Sequence, residues 1–352
     1  MDSVDEIGGS LTEPNLNQMS TWWTALRYHF VPPSLFPAIL GAVIAWAVND
    51  AFNIFYFLSV TVGVVANHIA LNMADDYFDF KHAVDQSKPE EKNPYSGGSG
   101  TLSSGAIHPS AMFKAFSLCF ALTVVIGLYL TILRGIPVLL FGLLGIFCSV
   151  FYTAPPISFS HHGFGELAQL FCFGTVIGMG SYFVQTQTLT LEAFTATLPL
   201  GMMLFSMILI NEIPDYNEDR SAGKLTLIAR HGKQRGVKLF VTSWVCTYSV
   251  IALGILLQVL PLIALLAFAS LPIAMRSIKI LRANYEDPLK LAPANLDMIV
   301  AYSITSLGLI AAYSIQGLIN GADYFQFLAI LVSLWAFYTP AVLALRRTMS
   351  KK

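Results

Sequence analysis

Apolar residues run along the chain in ten long blocks, near 30–49, 53–74, 112–133, 135–154, 164–184, 192–211, 237–257, 260–280, 297–318 and 323–345. The blocks are continuous, without polar alternation. At about 1.5 Å per residue, roughly 20 such residues cross a hydrocarbon core of about 30 Å. The pattern predicts an all-α, polytopic transmembrane bundle of nine to ten spans. It argues against a membrane β-barrel, whose strands alternate apolar and polar positions. Pro261, Pro272 and Pro340 interrupt two of the blocks, and the block at 323–345 reads either as a span or as a helix along the interface.

Charge placement threads the blocks. With the N-terminus inside and sides alternating, 19 of the 20 basic residues fall on inner segments and only Arg134 falls outside. Positive residues are retained on the cytoplasmic side during insertion, so an even number of spans with both termini cytoplasmic is expected. Only 12% of the 352 residues are charged, against about 25% in soluble domains, which excludes a soluble enzyme with one anchor. A net charge of -1 excludes a nucleic-acid binder held by bulk positive charge. Lipid is the expected surrounding, and nothing in the pattern calls for a protein partner. Residues 1–20 read as a polar tail whose acidic start does not fit a secretory signal. Cys119, Cys148, Cys172 and Cys246 lie inside apolar blocks, away from CxxC spacing, and read as packing residues.

The remaining polarity gathers in two inner connections, about 75–111 and 212–236. Asn72, Asp75, Asp76 and Asp79 are spaced i, i+3, i+4 and i+7, which is one helical face, and Asp85 follows. Asn211, Asp215 and Asp219 are spaced i, i+4 and i+8. Eight of the chain's 21 acidic residues lie in these two stretches. Carboxylates stacked on one face repel and require a compensating cation. Hard oxygen donors suit Mg²⁺, which is commonly shared with substrate phosphates. The expected metal set is therefore Asn72, Asp75, Asp76, Asp79, Asn211, Asp215 and Asp219, around a diphosphate. A solvated acidic helix end is the alternative for either cluster alone.

The string Asp75-Asp76-Tyr77-Phe78-Asp79 has the DDxxD form of soluble isoprenyl diphosphate enzymes. In an all-helical membrane chain with a second acidic cluster, the sequence resembles the UbiA superfamily of intramembrane prenyltransferases. Asn72, Asp76 and Asp79 match its first motif, with Asp75 where many members have Asn, and Asp215 and Asp219 match its second, DxxxD. Within the superfamily the MenA-like branch, the 1,4-dihydroxy-2-naphthoate polyprenyltransferases, is resembled in Ala25-Leu26-Arg27, NMADDYFDFKHAVD (72–85), NPYSGGSGTLSSGAI (93–107), YTAPP (152–156), GFGELAQLFCFG (163–174) and NEIPDYNEDRSAGKLTLIARHG (211–232). The resemblance implies a prenyltransferase domain over 21–320. The block beyond 323 looks like a helix added to the family's usual nine, with a basic tail, over 321–352.

The resemblance also implies chemistry: Mg²⁺-dependent transfer of a polyprenyl group from polyprenyl diphosphate to an aromatic acceptor. That acceptor would be 1,4-dihydroxy-2-naphthoate in menaquinone biosynthesis, with pyrophosphate and CO₂ released at the cytoplasmic side of the inner membrane. Asp76, Asp79, Asp215, Asp219 and Tyr152 would be catalytic, Tyr152 by facing a developing carbocation with its π-system. Lys88, Arg220, Lys224 and Arg230 would meet the diphosphate, and Glu166 would orient the acceptor. The positive-inside bias explains each basic residue equally well, and an interfacial position explains Tyr152 and Glu166. Gly97, Gly98 and Gly100 would let backbone approach phosphate or simply form a turn, while Gly174, Gly178 and Gly180 read as helix-packing positions. Acceptors such as 4-hydroxybenzoate, homogentisate, a chlorin, haem or a glycerol phosphate stay open, as does a cation transporter. The transporter would need acids at mid-membrane, where these are not.

Overall fold

The structure is a computed structural model that describes residues 16–82, 84, 93 and 95–350. Asp85 and Lys88 lie outside the described residues. All regular structure among the described residues is helical. A first helix, α1 (Leu16–Ala25), begins inside the stretch expected as a polar tail, so residues 16–20 are helical. A 3-10 turn (Tyr28–Phe30) follows, entered through Arg27 in the left-handed region, φ 48°.

The long helices are α2 (Pro32–Asn49), α3 (Ile54–Lys81), α4 (Pro109–Arg134), α5 (Ile136–Val150), α6 (Gly165–Thr186), α7 (Leu191–Ser221), then a short α8 (Leu227–His231), α9 (Lys233–Leu256), α10 (Leu262–Asn284), α11 (Pro288–Ile319) and α12 (Tyr324–Ser350). Local chemistry starts them where the sequence allows. Pro32 and Pro33 open α2, where a missing N–H costs nothing. The Asn53 and Thr190 side chains accept first-turn N–H groups of α3 and α7, and Asp287 does the same for α11.

Among the described residues nine helices are long and apolar enough to cross a membrane. The fourth block, expected over 135–154, forms a helix that stops at Val150 after 15 residues, or about 22 Å. Phe151–Thr153 leave the helix as a turn, and Pro155 and Pro156 cannot extend it. The block at 260–280 enters as a 3-10 helix, Leu262–Ser270, and becomes α-helical at Leu271 with Pro272 in the first turn. Here α11 approaches closely: a Cβ on Gly308 would sit 2.8 Å from the Leu266 carbonyl oxygen. The last block is one continuous helix through Pro340.

Helix α2 is the hub. Its apolar stretch is 89% buried, against 11% for α4, so α4 presents its surface to lipid while α2 is enclosed by α3, α6, α7, α11 and α12. The α2–α6 and α6–α7 contacts are tight because glycines meet there. A Cβ on Gly41 would lie 2.1 Å from the Gly178 oxygen, and one on Gly174 would lie 2.6 Å from Gly201 Cα. Gly174 and Gly178 are thus packing positions, whereas Gly180 borders an apolar groove with Phe141. Helix α12 covers α2 and the 3-10 turn: the Tyr28 hydroxyl donates to the Phe337 carbonyl at 3.4 Å, and Phe36 packs on Tyr338. All four cysteines are unbonded thiols.

Candidate active site

Helices α3 and α7 both continue past their apolar blocks, to Lys81 and Ser221. Both acidic stretches therefore stay helical, and each keeps its side chains on one face. The two faces meet at one end of the bundle across a cavity of about 160 Å³. Asn72, Asp75 and Asp79 of α3 line it, as do Asn211, Asp215 and Asp219 of α7, Lys224 from the following turn, and Tyr152 from the turn after α5. Phe30, Phe173, Leu204, Met207 and Ile208 make its apolar floor.

Each carboxylate near the mouth is matched to a donor. Asp75 accepts from Thr153 Oγ1 at 2.6 Å and lies 3.5 Å from an Arg27 nitrogen. Asp76 takes the Ser99 amide at 3.1 Å and the same Arg27 nitrogen at 3.4 Å. Asp79 Oδ2 is 2.6 Å from Lys224 Nζ, while its Oδ1 has no hydrogen bond and lies 3.6 Å from His161 Nε2. Asp215 accepts from the Ser96 hydroxyl at 2.8 Å and the Gly97 amide at 2.9 Å. The glycine-rich segment thus lies across the mouth, with one end on each acidic motif, and Arg27 ties it down through the Gly97 carbonyl at 3.1 Å. Held apart by these partners, no three His, Cys, Asp or Glu side chains among the described residues converge on one point.

Tyr152 has its ring in the cavity because Gly165 makes room; a Cβ there would sit 2.9 Å from Tyr152 Cε2. Burial, with the charges of Asp75 and Glu212 nearby, pushes the phenol well above its ordinary pKa, so it stays neutral.

The other expected site residues are placed differently. Asp76 is buried beside the cavity without lining it. Glu166 is fully buried behind its inner wall, where one oxygen accepts from the Leu227 amide at 2.7 Å. Arg220 and Arg230 are exposed and outside the lining: Arg220 donates to the Tyr216 hydroxyl at 2.7 Å and Arg230 to the Leu225 carbonyl at 3.0 Å.

Several residues escaped the sequence reading. Arg27 stood only as part of a resembling tripeptide. Asn295 of α11 donates to Asn211 Oδ1 at 2.8 Å and to the Ile210 carbonyl at 3.1 Å, and accepts from Asn93 at 3.1 Å. It fastens the root of the mouth segment to the second motif. The available signal was a lone Asn in an apolar block, since a buried amide in a span needs polar partners. Gln169 and Glu212 are further misses; the 3.6-residue period from Glu166 puts Gln169 on its face.

An all-helical membrane bundle with two facing acidic motifs at one end defines a class. The chain belongs to the UbiA prenyltransferase family, matched over residues 34–299, and is a prenyltransferase and an integral membrane protein. Among its relatives is the 1,4-dihydroxy-2-naphthoate octaprenyltransferase of Bacillus subtilis, 25% identical over 68% of this chain and 76% of that protein. The Escherichia coli enzyme of the same name is 27% identical over 63% and 72%. A 2-carboxy-1,4-naphthoquinone phytyltransferase of Synechocystis is 24% identical over 76% and 84%. The fold matches a UbiA homologue from Archaeoglobus fulgidus solved with GPP and Mg²⁺, at a TM-score of 0.61 and 13% identity over 84% of this chain and 99% of that one. Family membership excludes the transporter reading.

Proposed function

We propose that the enzyme transfers a polyprenyl group from a polyprenyl diphosphate to 1,4-dihydroxy-2-naphthoate, releasing pyrophosphate and CO₂, at a site open to the cytoplasm. The observation that carries the transfer is the pair of acidic helix faces across one cavity with an apolar floor. The naphthoate acceptor is supported by what the Bacillus subtilis and Escherichia coli relatives are named for.

The donor set fits a divalent metal: hard carboxylate oxygens on facing helices, with Asp79 Oδ1 buried and short of a hydrogen bond. Asp75, Asp79, Asp215 and Asp219 would hold Mg²⁺, with Asp76, Asn72 and Asn211 behind them. The ion supplies positive charge to the departing diphosphate. Lys224, already inside the cavity, adds a second positive charge there. Arg220 and Arg230 can reach a diphosphate only through movement of their segments, and Lys88 stands as a further diphosphate contact. The Ser96–Ser99 backbone, released from Asp215 and Asp76, presents N–H groups to phosphate oxygens.

The C–O bond to the diphosphate breaks, the allylic carbon becomes cationic, and a ring carbon of the acceptor forms the new C–C bond as the carboxyl carbon leaves as CO₂. Tyr152, neutral and beside the acidic wall, offers its π-face to the cation. Phe173, Leu204, Met207 and Ile208 exclude water that would quench it. Glu166, at the inner wall, orients the acceptor.

The test is incubation of the purified protein with a polyprenyl diphosphate and carboxyl-labelled 1,4-dihydroxy-2-naphthoate. Mg²⁺-dependent release of labelled CO₂ with a prenylated quinol is expected. A prenylated product that keeps its carboxylate would move the protein to the 4-hydroxybenzoate type.

A further inference from the structure

The inner wall of the cavity, between α6 and α7, carries polar groups that the diphosphate end does not use. Gln169 and Glu212 line the cavity there, and Glu166 lies behind them. Gln169 Oε1, Glu212 Oε2 and Glu166 Oε2 are all buried without a hydrogen-bond partner. Gln169 is 3% exposed and Glu212 9%. The two carboxyl groups lie within hydrogen-bonding reach of each other, so one proton shared between them satisfies that pair and leaves Gln169 Oε1 as the acceptor that only an entering group can reach. Lys224 pairs with Asp79 at 2.6 Å.

A buried acceptor oxygen without a donor is costly, and native proteins rarely tolerate several together unless something else supplies the donors. Gln169 Oε1 and the carboxyl pair together suit a ligand that brings O–H groups.

We propose that Gln169 and Glu212, backed by Glu166, form a subsite that accepts hydrogen bonds from the ring hydroxyls of the aromatic acceptor. The acceptor's own carboxylate then points away from this wall, toward the end of the cavity that holds Arg27 and Lys224. A phenol held by Gln169 and the carboxyl pair has its ring fixed in place, so Glu212 helps set which ring carbon faces the allylic cation. This assignment rests on the transfer to an aromatic acceptor proposed above.

The experiment uses the full chain in detergent and two probes, 1,4-dihydroxy-2-naphthoate and its methyl ethers. Binding is read from naphthol fluorescence without prenyl diphosphate or metal, and KM from turnover. Two variants are compared, Glu212→Gln and Gln169→Met. The first is isosteric and its new amide can donate to Glu166, so a purely structural carboxyl pair would be unharmed by it. In the native protein, methylating a ring hydroxyl should weaken binding at least tenfold. Each variant should raise acceptor KM about tenfold, leave prenyl diphosphate KM within twofold, and shrink the discrimination against the ethers to threefold or less. Native discrimination and acceptor KM in both variants would overturn the subsite. If the native protein prenylates a different phenol instead, the naphthoate acceptor falls, and the subsite is judged by the same ratio for that phenol and its methyl ether.

Discussion

The cavity has two acidic walls built from the same kinds of side chain, and they are settled in opposite ways. At the mouth, Asp75, Asp76 and Asp215 have their oxygens on Arg27, Thr153, Ser96, Gly97 and Ser99, and Asp79 meets Lys224. At the inner wall Glu166 and Glu212 lie within hydrogen-bonding reach of each other, and Gln169 Oε1 has no donor. Mouth donors sit on a loop and on flexible cations, so they can leave in exchange for a metal and a diphosphate. The inner groups are fixed on the packed helices α6 and α7, and Gln169 Oε1 can be satisfied only by something that enters. One wall is arranged for exchange and the other for capture.

The largest effect expected is at the mouth. Asp75→Asn and Asp215→Asn should each lower turnover about a thousandfold, the scale of losing metal-borne charge on a leaving group. Melting temperature in detergent should hold or rise, because one charge is removed from a crowded acidic face. Initial rate against Mg²⁺ concentration checks this, and near-native rates for both at limiting Mg²⁺ would sink the diphosphate site. Next is Lys224→Met, which strips Asp79 of its 2.6 Å partner. A buried carboxylate left alone costs about 3 kcal/mol, so a lower melting temperature and a higher KM for prenyl diphosphate should appear together. An unchanged melting temperature would mean that this pair is not formed in the membrane protein.

Much of the mouth was legible in the sequence, and little of the inner wall. Spacing alone put Asn72, Asp75, Asp76 and Asp79 on one face, because charge clusters contrast sharply with an apolar background. The end of α5 at Val150 was not legible, since hydropathy continues to Phe151 and Tyr152 while the turn is set by Pro155 and Pro156. Nor was the exposure of Arg220 and Arg230: a basic residue at an inner helix end reads the same whether it faces the site or water. Gln169 was hidden because a single polar residue in an apolar helix stands out little until the helices are packed, and Glu212 because it falls off the face that carries Asn211, Asp215 and Asp219.

Asn295 joins the two readings, since it lies outside the motifs yet holds Asn211 and Asn93. Asn295→Leu removes a hydrogen bond from each of two side-chain amides, Asn211 and Asn93, and should cost about 2 kcal/mol, a smaller loss than at Lys224. Its particular signature is a rise in the Mg²⁺ concentration for half-maximal rate with acceptor KM unchanged. A parallel rise in both would make it a general packing residue.

The smallest effect should come where the walls meet. Tyr152 feels the charge of Asp75 from the mouth and of Glu212 and Glu166 from the inner wall, and burial is the first cause of its raised pKa. Burial therefore keeps the phenol neutral, and a proton-transfer role would require the ionised form that this setting opposes. What remains is the ring. A cation over an aromatic face gains about 0.5–2 kcal/mol, and Phe supplies much of that. Tyr152→Phe should thus keep kcat within about threefold and leave the alkaline limb of the pH profile where it was, while Tyr152→Leu should cost about tenfold. If Tyr152→Phe fell as far as Tyr152→Leu, the hydroxyl would be the working group. Tyr152 would then belong with the donors that the inner wall otherwise lacks.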